Sequence, residues 1–129
     1  MAFTVSIELA RRRVTSVWHG PVDRALLFDY VERVWADPGV RELDEVVDFR
    51  AVTDIDLPGA AIAELAEYSR KLDNPRGYAR SAVIASAQLA FGLSRMFASL
   101  RASVPENRRE FRVFEDMASA ERWLAAPRG

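Results

Sequence analysis

A chain of 129 residues, 50% hydrophobic and 29% charged, holds material for one buried core and none for a second, so residues 1–129 read as a single domain. The net charge of −1 argues against a nucleic-acid partner, which needs a basic face to displace counterions from phosphates. There is no cysteine, His19 is the sole histidine and Lys71 the sole lysine, which excludes disulfides, thiolate or multi-histidine metal sites and thiol nucleophiles.

Phe3, Val5, Ile7 and Leu9 alternate with Thr4, Ser6 and Glu8, the period of two that marks a half-buried strand, and Val14 to Trp18 supply its partner. Arg11-Arg12-Arg13 between them reads as a solvated hairpin turn. The opening alternation lacks the apolar run of a signal peptide, and no apolar stretch is long enough to span a bilayer, so a soluble, cytoplasmic protein without membrane insertion is expected. Gly20-Pro21 predicts a break and a helix start, with Leu27, Tyr30, Val31, Val34 and Trp35 on one stripe and Asp37-Pro38-Gly39 as the stop.

A strand follows near 44–50, then a helix over about 57–72 that buries Ile62, Leu65 and Ala66, with Asp56 expected to cap it. Asp73-Asn74-Pro75-Arg76-Gly77 is a dense turn signal, and Ala82-Val83-Ile84-Ala85 suits a strand covered on both faces. The next helix spans about 87–103, with Leu89, Leu93, Met96, Phe97 and Leu100 as its core stripe and Pro105 and Asn107 marking its exit. Glu110 to Phe114 make the last strand, and Asp116 caps a final helix through Ala126. The order predicts an α/β fold, a single mixed sheet of about five strands in which an N-terminal antiparallel hairpin leads into parallel βα units.

Asp48-Phe49-Arg50 followed by Val52, Ile55-Asp56 and Gly59 resembles the signature of STAS domains, the family of the bacterial anti-sigma-factor antagonists. Phe91 to Phe97, Phe111-Arg112-Val113-Phe114, Ala120 and Trp123-Leu124 look like the SpoIIAA-like branch of the STAS/SEC14 grouping. Leu57 and Pro58 stand where that family carries serines, so the resemblance implies the fold without the usual phospho-acceptor.

Ligands in such sheets gather where strands end and helices begin, here Thr53 to Gly59, Ser86 to Gln88, and Glu115-Asp116. Asp48, Asp54 and Asp56 are better explained by strand, loop and cap than by a cation site, and no hydroxyl sits in a Gly-x-Ser-x-Gly elbow, so neither metal, cofactor nor enzymatic activity is expected. Phe91 falls off the helix stripe beside Arg95, which suggests a contact surface for a second copy. Thr53, Asp54, Asp56, Ser86, Gln88, Phe91 and Arg95 are accordingly the expected partner- or ligand-binding residues. The resemblance favours a non-enzymatic interaction module that binds itself or another protein. The alternative is a carrier of a small apolar molecule, with Phe28, Tyr30, Trp35, Tyr78, Phe91 and Phe97 as candidate lining.

Overall fold

The alternating N-terminal residues build β1 (Phe3–Glu8) and β2 (Arg13–Asp23) into an antiparallel hairpin in a computed structural model that describes residues 2–73, 77–104 and 107–128. Its turn is a 3₁₀ segment, Leu9–Arg11, followed by Arg12 in the left-handed region at φ 51°, with the Arg12 N–H bonded back to the Leu9 carbonyl at 3.1 Å. Arg11 and Arg12 are exposed, as a solvated turn requires, whereas Arg13 is buried in the strand.

Gly20-Pro21 does not end β2. Gly20 takes φ +75°, and the register against the next strand shifts between Val17 and His19 and again between Gly20 and Pro21. These bulges carry a residue with no N–H to give the ladder, so the strand runs on to Asp23. Helix α1 (Arg24–Val34) starts only there, with Asp23 Oδ1 accepting the Leu26 N–H at 2.9 Å.

Strands β3 (Asp44–Asp56), β4 (Ala79–Ile84) and β5 (Arg109–Phe114) add parallel to β2, giving the order β1-β2-β3-β4-β5. Between and after them lie α2 (Gly59–Arg70), α3 (Gln88–Ala102) and α4 (Met117–Ala125). Of the predicted turn signals, residues 74–76 and Pro105 lie outside the described residues.

Because β3 meets β4 only over Glu45–Asp48, its later residues continue with β2 as a two-stranded ribbon whose last pair is Asp23 and Asp56. Asp56 is therefore held extended in the ladder, and the expected cap is corrected: Pro58 occupies the N-cap of α2, with no side-chain cap bond. Asp116, by contrast, does cap α4, accepting the Ser119 N–H at 2.7 Å.

Alternation along the central strands divides the core. Val14, Trp18, Val47 and Val83 face α1, α2 and α3, whereas Val46, Ala82 and Ile84 face Ala120, Trp123 and Leu124 of α4. The covering helices reach β1 only at Phe3, whose ring lies 4.6 Å from Trp18 and 5.4 Å from Tyr30, so Val5 and Ile7 stay exposed despite the alternation that predicts them half-buried. Helix α3 also sits rotated from its predicted stripe. Ala90, Ser94 and Arg101 are buried with Leu93 and Phe97 half-buried, while Leu89 and Met96 face water. Arg101 is the cause: its guanidinium is bound inside the fold, so a charged position takes the place that apolar periodicity assigns elsewhere.

Candidate ligand cavity

Between the sheet and α1–α3 the packing leaves a cavity of about 110 Å³. What sets it apart is its lining, which is largely apolar and aromatic, the character of a ligand pocket. Trp18, Val47, Phe49 and Val83 line it from the strands, Tyr30 from α1 and Trp35 from its C-cap, Ile62 and Leu65 from α2, Leu93 and Phe97 from α3. Leu57, at the first of the positions where the resemblance expects a serine, also lines it. A second recess, about 310 Å³, is bounded by Arg12, Arg41, Arg108 and Tyr78. It is the larger of the two, but its walls are polar and half of them are exposed, the character of a hydrated surface cleft.

The first cavity is apolar except toward the amino ends of the strands, where a group of polar side chains gathers. The Tyr30 hydroxyl donates to Glu45 Oε2 at 2.6 Å and the Ser81 hydroxyl to Oε1 at 2.6 Å. Arg109 donates to Ser81 Oγ at 2.9 Å and to the Leu43 carbonyl at 2.8 Å, with its guanidinium 4.4 Å above the Trp35 ring. Arg101 donates to Asp73 and, at 2.9 Å, to Ser69 Oγ, and lies 4.7 Å over the Phe111 ring.

Burial, reinforced by the Glu45 charge, holds the Tyr30 phenol well above its usual range, so it stays a neutral donor. Burial also pulls Arg109 below its ordinary value, against the opposing pull of Glu45 and Asp73. Such buried charges persist only when paired and hydrogen-bonded: Arg101 is paired with Asp73, while Glu45 and Arg109 are joined through the Ser81 hydroxyl, which donates to the one and accepts from the other.

None of the seven residues expected to form the partner- or ligand-binding surface lines this cavity. Thr53, Asp54 and Asp56 are exposed on the β2–β3 ribbon, Ser86 and Gln88 are exposed where β4 hands over to α3, Arg95 is exposed on α3 and Phe91 is half-buried there. Of the candidate aromatics, Tyr30, Trp35 and Phe97 line it, while Phe28 stacks on Tyr68 at 5.6 Å and Tyr78 faces water. Asp48 is engaged by Arg50, whose guanidinium donates to both carboxylate oxygens at 3.0 and 2.8 Å and keeps the carboxyl below its usual range. Among the described residues no group of three or more His, Asp or Glu side chains is placed to hold a metal ion, and no helix is long and apolar enough to cross a membrane.

The polar floor was hidden because each member carries another meaning in one dimension. Ser81 and Arg109 fall just outside the strands predicted at Ala82–Ala85 and Glu110–Phe114, and Glu45 is one acidic residue at the start of the strand near 44–50. The one available signal is the register: Glu45 pairs with Ser81, and Ala79 with Arg109, at the same end of neighbouring strands.

No family model matches the chain, and no curated protein matches its sequence. Among solved structures it is similar to an uncharacterized protein of the DUF3478 family from Shewanella loihica PV-4, described as having a SpoIIAA-like fold. The two share 18% identity and superpose with a TM-score of 0.59 over 96% of this chain and 94% of that one. Identity that low speaks to the backbone alone, and with the five-stranded mixed sheet it establishes that this chain has a SpoIIAA-like fold.

Proposed function

We propose that the chain is a non-enzymatic binding domain whose ligand is a compact apolar molecule held between the sheet and α1–α3. The cavity carries this reading. Its lining is largely apolar, so an apolar occupant would be held there by the removal of those walls from water. Engineered apolar cavities of about 150 Å³ take up benzene, so the smaller volume of about 110 Å³ sets a single small ring as the upper limit and leaves no room for a lipid chain. The absence of cysteine and the exposed position of His19 on β2, away from the lining, favour binding over turnover. Thermal melts with a panel of small neutral aromatics test the reading. At least one should raise the melting temperature in proportion to the logarithm of its concentration. Melting that none of them moves would remove it.

A second reading, two-fold self-association, draws support from the outer face of α3. Leu89 and Met96, seven residues apart on one stripe, are 57% and 42% exposed, with Arg95 next to Met96. A second copy laid on this face would cover them. Under this reading wild type sediments as a dimer and Met96→Glu as a monomer; a wild-type monomer at micromolar concentration rejects it.

A further inference from the structure

We propose that the larger recess, at the amino ends of the parallel strands, is a second binding site that takes a small soluble molecule carrying a phosphate group, held by Arg12 and Arg108. It stands apart from the apolar cavity, with which it shares only Arg109 among the described residues. The topology assembles it from the entry to every parallel strand. Arg12 immediately precedes β2, Arg41 and Glu42 lie in the 3₁₀ turn Val40–Glu42 before β3, Tyr78 precedes β4 and Arg108 precedes β5. Backbone bonds tie these segments in pairs: the Asp44 N–H donates to the Arg12 carbonyl at 3.0 Å and the Ala79 N–H to the Arg108 carbonyl at 3.1 Å. Both arginines are thus anchored at the backbone while remaining exposed.

Charge supplies the second observation. Elsewhere arginines meet carboxylates, Arg11 and Arg13 at Glu121, Arg24 at Glu64, Arg50 at Asp48 and Arg101 at Asp73. Arg12, Arg41, Arg108 and Arg109 have no ion pair among the described residues, and all four line this recess with Glu42 as its one carboxylate. Arg41 donates to the Trp35 and Ala36 carbonyls at 2.6 and 3.3 Å, and Arg109 to Ser81 and the Arg41 and Leu43 carbonyls, neutral partners that hold a guanidinium without cancelling its charge. Arg12 and Arg108 have no side-chain hydrogen bond among the described residues. A phosphate monoester, dianionic near neutral pH and with three terminal oxygens, matches such an excess better than a carboxylate and offers acceptors to two guanidinium forks. A nucleic acid fits less well, because the recess lies on a chain of net charge −1.

Arg12 itself supplies the third. At φ 51° it is the one non-glycine residue at positive φ among those described, a conformation that costs any residue with a side chain. Its neighbours Arg11 and Arg13 serve the fold through Glu121; Arg12 lines the recess instead. Backbone strain kept at a residue whose charge the fold leaves unanswered points to a task outside the fold.

Calorimetric titration with methyl phosphate and with acetate at fixed ionic strength tests the site, both probes being too polar for the apolar cavity. Near neutral pH methyl phosphate should bind about tenfold tighter than acetate, and its affinity should fall as the pH drops through about 6, where the ester takes up a proton. Arg12→Gly, which suits the backbone at that position, and Arg108→Gln should each weaken methyl phosphate about tenfold, the worth of one charge-assisted hydrogen bond. Arg95→Gln removes the same charge from an exposed position on α3 and should stay within about twofold of wild type. Equal losses in all three variants would reduce the effect to net charge and overturn the site. Equal affinity of wild type for the two probes overturns the phosphate assignment, and no binding at millimolar concentration overturns the site itself; these arms hold even if a variant fails to fold. Flotation with phosphatidylcholine vesicles containing phosphatidic acid separates a free ligand from a lipid headgroup. The protein should stay off the vesicles, and flotation without binding of methyl phosphate overturns the soluble-ligand assignment.

Discussion

The two faces of one sheet are built to different standards. On the α4 side, Val46, Ala82 and Ile84 meet Ala120, Trp123 and Leu124, and arginines fasten the helix to the strands. Arg80 donates to the carbonyls of Trp123, Ala126 and Pro127 at 2.5, 3.0 and 3.1 Å, and Arg13 and Arg11 hold Glu121 at 2.7 and 3.0 Å. On the other side three helices cover more of the sheet yet leave a cavity with buried ions at its floor. Small residues on the first face allow close approach of helix and sheet. Large aromatic and ionic groups on the second hold the layers apart, and unfilled volume follows. Stability and binding capacity are thus assigned to opposite sides of the same strands.

The comparison is tested most severely at Trp123. Truncation to alanine on the tightly packed face should cost about 3–5 kcal/mol, read from urea denaturation, because α4 closes over nothing else of that size. A smaller loss would mean that the face is looser than its geometry.

Next come adjacent residues on opposite faces. Ala82→Val adds atoms where Ala82 is fully buried and should cost about 1–3 kcal/mol by overpacking. Val83→Ile adds one methylene into the cavity and should change stability by less than about 1 kcal/mol while weakening any probe that binds there. Equal costs at the two positions would erase the distinction between the faces.

A smaller effect separates two aspartates that end the same ribbon. Asp23→Ala removes a cap and should cost about 0.5–2 kcal/mol. Asp56→Ala removes an exposed side chain with no capping bond and should fall within about 0.5 kcal/mol.

The smallest effect concerns the fastening of α4 to the strands. Arg13, by donating to it, keeps the Glu121 carboxyl below its usual range despite the opposing effect of burial. A carboxyl lowered in the folded state contributes stability above its unfolded pKa, near about 4.3, and loses that contribution as pH falls through the lower folded value. Glu121→Gln should therefore melt below wild type at neutral pH, and the gap should close as the pH drops below about 4. A gap independent of pH would show that Glu121 acts by shape and not by charge.

Most of the fold was legible in one dimension and little of the site. Periodicity of two and of 3.6, with Asp116 and the glycine and proline stops, placed every element in its right order. Gly20-Pro21 misled because a bulge lets the pair stay in a strand, and that error displaced the ribbon and with it the capping role of Asp56. The α3 stripe misled because apolar counting cannot foresee that Arg101 turns inward to meet Asp73 and Ser69 from a different helix and its exit. Cavities are what packing leaves over, and no local pattern of residues records them.

Strand order in this sheet repeats chain order without a single jump. Each strand leaving a ribosome finds its neighbour already present, so the sheet can lengthen at one margin as synthesis proceeds, and no segment waits for a distant mate. The longest reach is the clasp between the first hairpin and the last helix, where Arg11 and Arg13 meet Glu121. Assembly on this plan resembles a queue closed by a latch. A nascent chain arrested before residue 117 should already protect the β2–β3 amides from hydrogen exchange while Ala82 and Ile84 still lie open to solvent.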